Sequence, residues 1–185
     1  MDRDIVVRAR AGDRDAFSQL ATASIGRLNA VARLIVRDDG RAEDAVQDAL
    51  VDAWLDLPAL RDPDRFDAWP NRLLINACHN VTRRSGRQWR VEVPLQPIDS
   101  PSIPDIQTTN AIADEIERGF RRLTIEQRSV LVLIYYLDLS LADAASTMGV
   151  PLGTLKSRLN RALTALRASL EADARLPRYS AEHLA

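Results

Sequence analysis

The stretch Ser140–Leu170, SLADAASTMGVPLGTLKSRLNRALTALRASL, decides how the chain reads. Ser140 suits a helix N-cap, Gly149 ends the short helix that follows, and Pro151 reopens the chain into a longer one. Boundary signals this close together predict two helices joined by a tight turn, the plan of a helix-turn-helix DNA reader. At about 100° per residue, Leu155, Leu159, Leu163, Leu166 and Leu170 fall on one arc of the second helix and are expected to pack inward. Lys156, Ser157, Asn160 and Arg161 share the opposite arc, flanked by Thr154 and Arg158. Arg and Lys read guanine in the major groove and Asn reads adenine. No acid interrupts this edge until Glu171, whereas a merely solvated face mixes its signs.

Outward from that stretch, the 185 residues contain few aromatics and much Leu, Ala, Arg and Asp, which points to an all-α protein with packed cores. The formal net charge of −1 is low for a DNA-binding chain, but the charge is segregated. Residues 38–56 are strongly acidic, residues 72–90 carry Arg72, Arg83, Arg84, Arg87 and Arg90 without an acid, and residues 151–170 are again purely basic. Partners of both signs follow from that pattern.

Taken in order, residues 2–10 suit a short helix broken at Gly12, and Asp13 caps a long one whose stripe is Phe17, Leu20, Ala21, Ser24, Leu28, Val31 and Ile35. A turn at Asp38-Asp39-Gly40 leads to a helix burying Ala42, Val46, Ala49, Leu50, Ala53, Trp54 and Leu57. Its other face carries Asp44, Asp48, Asp52 and Asp56, with Glu43 and Gln47 beside them. Like charges four apart repel by about 0.2–0.5 kcal/mol a pair, and no Lys or Arg of the helix itself is expected to relieve them. A solvated face or a docking surface for a basic partner helix both fit.

Asp67 can cap the next helix, which puts Pro70 harmlessly in its first turn. Trp69, Leu73, Leu74, Ala77 and Val81 point inward there; Arg72, Asn76, His79, Asn80, Arg83 and Arg84 point elsewhere, and Trp89 follows. Asn and Arg on a helix rim bond phosphates and base edges. Pro94, Pro97, Pro101 and Pro104 then mark an extended linker dividing the chain into two helical domains. The second opens with Ile112, Ile116, Phe120 and Leu123, followed by a Thr124–Gln127 capping box and a helix on Val130, Leu131, Ile134 and Leu137. Residues 171–185 carry little pattern, and fraying is expected there.

Catalytic chemistry finds no foothold. His79 and His183 are the only histidines and Cys78 the only cysteine, and no phosphate loop, metal-ligand spacing or nucleophile motif exists, so neither an enzyme nor a cofactor is expected. Cys78 reads as a small core residue and His79 as a polar surface one. No apolar run suits a signal peptide or a membrane span, so a cytoplasmic protein without membrane insertion is expected. An autonomous helix-turn-helix transcriptional regulator explains the last domain and leaves the first without a task.

The set GDRDAF, DGRAEDAVQDALVDAW and FDAWPNRLLINACHNVTRR, then a Pro-rich linker, then LTIEQRSVLVLIYYLDLSLADAASTMGVPLGTLKSRLNRALTALR, resembles the extracytoplasmic-function (group 4) sigma factors of bacterial RNA polymerase, in the sigma-70 family. The resemblance covers all but the linker and tail, and GTLKSRLNRAL and AEDAVQDAL are its most specific segments. Two departures stand out. Pro70 replaces a usual apolar residue, and Asp143-Ala144-Ala145 replaces a more typical Glu-Ile-Ala, thinning the core under the reader helix.

The resemblance implies residues 1–90 as a region 2-like domain, 91–107 as linker, 108–170 as a region 4-like domain and 171–185 as tail. It implies that Asp44, Gln47, Asp48 and Asp52 dock on the β′ clamp helices of core RNA polymerase, with the β subunit also contacted. Arg61, Arg65, Asn76, Asn80, Arg83 and Arg84 match the part that opens and reads the −10 promoter element. Thr154, Lys156, Ser157, Arg158, Asn160 and Arg161 match the reader of the −35 element. An anti-sigma factor is the further partner such proteins commonly have.

Overall fold

The computed structural model describes residues 2–60, 62–63, 66, 68–88 and 116–175. Their order is α1 (Arg3–Arg10), α2 (Arg14–Val36), α3 (Asp39–Asp56), a 3-10 turn (Leu57–Ala59), α4 (Trp69–Gln88), α5 (116–121), α6 (Ile125–Leu131) with a π-helical turn (Val132–Tyr136), α7 (Leu141–Met148) and α8 (Leu152–Arg175). No strand occurs among the described residues, so the all-α expectation holds. Linker residues 91–107, the Asp67 cap, Trp89 and Arg90 lie outside them, as do Ile112 and most of the tail.

Local chemistry sets most boundaries. The Asp13 carboxylate accepts the amides of Asp15 and Ala16 at 3.0 Å each, and Arg8 donates to it at 2.6 Å. The Ala16 amide and then the Arg8 side chain hold that carboxyl below its usual range. Thr124 and Gln127 close the expected capping box, through bonds of 3.3 and 2.9 Å. Ser140 accepts the Asp143 amide at 3.1 Å, and Gly149 ends α7 at φ +63°, where glycine carries no Cβ penalty.

Three local expectations are corrected. Asp38 is the N-cap of α3, accepting the Arg41 amide at 2.8 Å, so Asp39 and Gly40 are its first helical residues rather than a turn. Arg41 therefore lies inside the helix, contrary to the expectation of a helix without a cation. Helix α6 does not run regularly to Leu137: the Leu137 amide bonds the Val132 carbonyl at 3.0 Å, a π turn that leaves Tyr135 and Tyr136 exposed.

Packing corrects the α8 stripe as well. Its deepest line is Leu155, Ala162 and Ser169, seven apart, and Leu159, Leu163, Leu166 and Leu170 form half-buried shoulders. Arg122 reaches in to donate to the Ser169 carbonyl at 3.1 Å. Helix α4 buries Cys78 as expected, and Pro70, Asn71 and Ile75 beyond the expected set, because α2, α3 and α7 all pack against it. Asp143-Ala144-Ala145 does place two small side chains in the core, with Ala144 fully buried.

A small core of Val6, Ala9, Ala16, Leu20, Leu57, Leu60 and Phe66 ties α1 to α2. The larger core is continuous from Leu28, Ile35, Val46 and Leu74 through Val130, Leu133, Ala145, Leu155 and Ala162. The two helical units expected to hang on a linker thus share one apolar interior.

Candidate nucleic-acid interface

Three surfaces carry the expected site residues. On α3, Asp44, Gln47 and Asp52 are exposed, and the Asp48 side chain is half exposed. The helix turns Val51 and Leu55, 55% and 66% exposed, onto the same face. At 100° per residue the angular order is Gln47, Val51, Asp44, Leu55, Asp48. Two large apolar side chains therefore sit amid the acids, and a solvated face has no use for them. The alternation of Asp with apolar residues masked them in the sequence; a helical wheel from Asp39 brings them out.

Charge on that face is only partly relieved. Arg33 of α2 reaches Asp39 at 3.2 Å and Glu43 at 3.8 Å. Arg84 of α4 donates to Asp48 at 3.2 Å, joining an expected DNA contact to an expected polymerase contact. Both partners are largely hydrated, so the pair is worth little in stability and is easily exchanged for another partner.

Along α4, Arg72, Asn76 and Arg83 are exposed, Asn80 is half-buried, and Arg83 donates to the Asn80 side-chain oxygen. These residues occupy one rail of the helix, which adds Arg72 to the expected set. Arg61 and Arg65 lie outside the described residues. His79 is not a surface residue: it is half-buried, with Nε2 3.1 Å from Ser129 Oγ on α6. Burial lowers its pKa; Glu126 acts the other way, while Arg158 and Arg83 add to the lowering.

On α8, Lys156, Asn160 and Arg161 are exposed on one edge. Thr154 and Ser157 are half-buried, and the Ser157 hydroxyl donates to the Thr154 carbonyl at 2.9 Å, leaving its lone pairs for an outside donor. Arg158 is half-buried and turned about 100° away from Ser157, near enough to His79 to affect its charge. The structure brings five of the six expected residues to one edge and its flank, and sets Arg158 towards α4. Leu152, 43% exposed at the helix start, joins that edge, where an apolar group can meet a thymine methyl.

The surfaces offer charge, hydrogen-bond donors and apolar area rather than a reaction centre. Burial pushes the Cys78 thiol up to about 12, which removes it as a nucleophile at neutral pH. Among the described residues no cluster of His, Cys, Asp and Glu is built to hold a metal, and no helix is long and apolar enough to cross a membrane.

Residues 20–88 match the family model "Sigma-70 region 2", and residues 113–166 match "Sigma-70, region 4". The ECF RNA polymerase sigma factor SigM of Mycobacterium tuberculosis is 34% identical over 161 residues, covering 87% of this chain and 80% of that one. The RNA polymerase sigma-E factor of Streptomyces avermitilis is 34% identical over 144 residues, covering 76% of each. Among solved structures, sigma factor RpoE in complex with the anti-sigma factor NepR, from Bartonella quintana, superposes with a TM-score of 0.66 at 27% identity, covering 85% of this chain and 98% of that one. CnrH in complex with the cytosolic domain of CnrY gives 0.63 at 28% identity, covering 93% and 98%. By sequence and by fold, the chain belongs to the extracytoplasmic-function sigma factors of the sigma-70 family.

Proposed function

We propose that this sigma factor divides its work among the three surfaces: α3 docks on core RNA polymerase, the α4 rail reads the −10 element, and the α8 edge reads the −35 element. As a sigma factor the chain directs promoter-specific transcription initiation. The observation that carries the assignment is the α3 face, where Val51 and Leu55 stand exposed among Gln47, Asp44 and Asp48. Acids steer a basic partner and the apolar pair supplies the buried centre that a protein interface needs. An autonomous regulator leaves this face unused.

The residue roles are Asp44, Gln47, Asp48 and Asp52 with Val51 and Leu55 towards polymerase; Arg61, Arg65, Asn76, Asn80, Arg83 and Arg84 with Arg72 towards the −10 DNA; and Thr154, Lys156, Ser157, Asn160 and Arg161 towards the −35 DNA. Arg158 belongs to the last group as well. The domain bounds are 1–90 and 108–170, with 91–107 as linker and 171–185 as tail. The chain acts in the cytoplasm as a non-catalytic subunit, and an anti-sigma factor is its regulatory partner, the kind of complex that the RpoE–NepR structure holds. Run-off transcription with core polymerase on a promoter library tests the reading. Start sites should share two sequence elements that vanish without the chain; transcription indifferent to it overturns the proposal.

A further inference from the structure

The reader helix begins with two residues that its own fold does not explain. The Leu155 amide bonds the Pro151 carbonyl at 3.0 Å, and Leu152 and Gly153 are the first helical residues of α8. Leu152 is 43% exposed and Gly153 is exposed beside it, whereas Leu155, one turn on, is fully buried. Glycine weakens a helix relative to alanine. Neither usual reason for a glycine is present here: Gly153 lacks the positive φ of Gly12 and Gly149, and nothing lies within 4 Å of the place a Cβ would take. A glycine that serves neither a turn nor a packing contact suits a surface that something outside approaches closely. A lone exposed leucine means little by itself, but this one stands next to that gap.

We infer that Leu152 reads the 5-methyl group of a thymine in the −35 element, and that Gly153 leaves the space that lets the helix start sit deep enough to reach it. The inference rests on the assignment of the α8 edge to that element. In a helix-turn-helix the N-terminal residues of the second helix face the base edges. Thymine presents a methyl group in the major groove, and an apolar side chain is its complement. The setting favours DNA over a protein surface. Residues 151–170 contain no acid, and Lys156 stands one turn from Leu152, about 40° around the helix. Leu159 and Leu163, nearest to Leu152 in angle, are half-buried, so no exposed apolar pair forms a protein-binding centre as Val51 and Leu55 do on α3. At 1.5 Å per residue Leu152 lies about 12 Å along the axis from Asn160. That is more than three base-pair steps of about 3.4 Å, so its thymine is a different base from those that Asn160 and Arg161 reach.

Run-off transcription with core polymerase and the full chain tests this on the strongest promoter from the library, built with uracil in place of each −35 thymine in turn, on either strand. Uracil pairs as thymine does and lacks only the methyl. One replacement should lower transcription by the parent about fourfold, the worth of one buried methyl-sized group. Leu152→Ala removes an exposed side chain and keeps a good helix former. It should lower transcription from the thymine template to a similar extent and make the thymine and uracil templates equal. Gly153→Ala should raise the melting temperature, because the added Cβ meets nothing in the chain, and yet lower transcription at least threefold. A purely structural glycine would move both in the same direction. Uracil templates that all work as well as the thymine one overturn the role given to Leu152. So does a uracil loss that Leu152→Ala leaves unchanged while it weakens both templates equally, which sets Leu152 against a protein surface. Gly153→Ala that transcribes as well as the parent overturns the role given to Gly153. Start sites that share no −35 element overturn instead the α8 assignment on which the inference rests.

Discussion

The acidic face of α3 and the basic edge of α8 are both faces of nearly one sign, yet they are built differently. The α3 face has Val51 and Leu55 among its acids, whereas the edge of α8 offers Lys156, Asn160 and Arg161 with a single apolar residue at the helix start. A protein partner supplies apolar surface to be buried against, so charge alone does not complete a docking site. A DNA groove supplies phosphates and base edges, so donors do most of the work. The composition of each face thus suits the kind of polymer proposed for it.

The widest break in that comparison comes from the support under one face. Leu155→Ala removes a fully buried side chain beneath the α8 edge and should cost about 2–5 kcal/mol. Because the core is continuous, melting by circular dichroism should stay a single transition at lower temperature; two separate transitions would show that the units fold independently. Next, Val51→Ser with Leu55→Ser should weaken core polymerase binding by about 2–3 kcal/mol in a competition assay while leaving the melting temperature unchanged. Asp48→Arg should weaken it too, in a manner that fades with salt. If the serine pair competes as well as the parent, the α3 face is acidic but not a docking centre.

On the other face, Arg161→Ala should cost about 1–3 kcal/mol of promoter discrimination and relax one or two −35 bases. Equal loss across a promoter library would make Arg161 a phosphate contact. The smallest effect is on the seam between the faces. His79 has a lowered pKa when packed on Ser129, with Glu126, Arg158 and Arg83 as its charged neighbours. The unfolded chain binds that proton more readily, so the fold is fully stabilised above the ordinary histidine value of about 6.5 and weakens as pH falls below it. The melting temperature should fall on acidification from pH 7 towards 5.5, and His79→Gln should flatten the change.

Much of this was legible from local chemistry. The caps at Asp13, Thr124, Ser140 and Gly149, and Pro70 in the first turn of α4, follow from which backbone groups a few adjacent atoms can satisfy. The exposed edge of α8 was legible because helical geometry is fixed at each residue. Less legible were Val51 and Leu55, which look like core residues until the partner helices are seen to cover the other side. The π turn after Leu131 was hidden for the same reason: its extra residue satisfies packing around Val132 and Leu133, not a local propensity.

The sequence by itself determined the helices, most of their ends, the segregation of charge and the family. Each of these depends on neighbours within a turn or two, or on a motif. Only the tertiary structure decided that Arg37, His79 and Arg128 bridge the two units, that Arg158 turns towards α4, and that Asn71 and Ile75 are core. Their partners are Glu117, Ser129 and the Ile35 carbonyl, up to 93 residues away in the chain. No periodicity along one helix records what another helix brings against it.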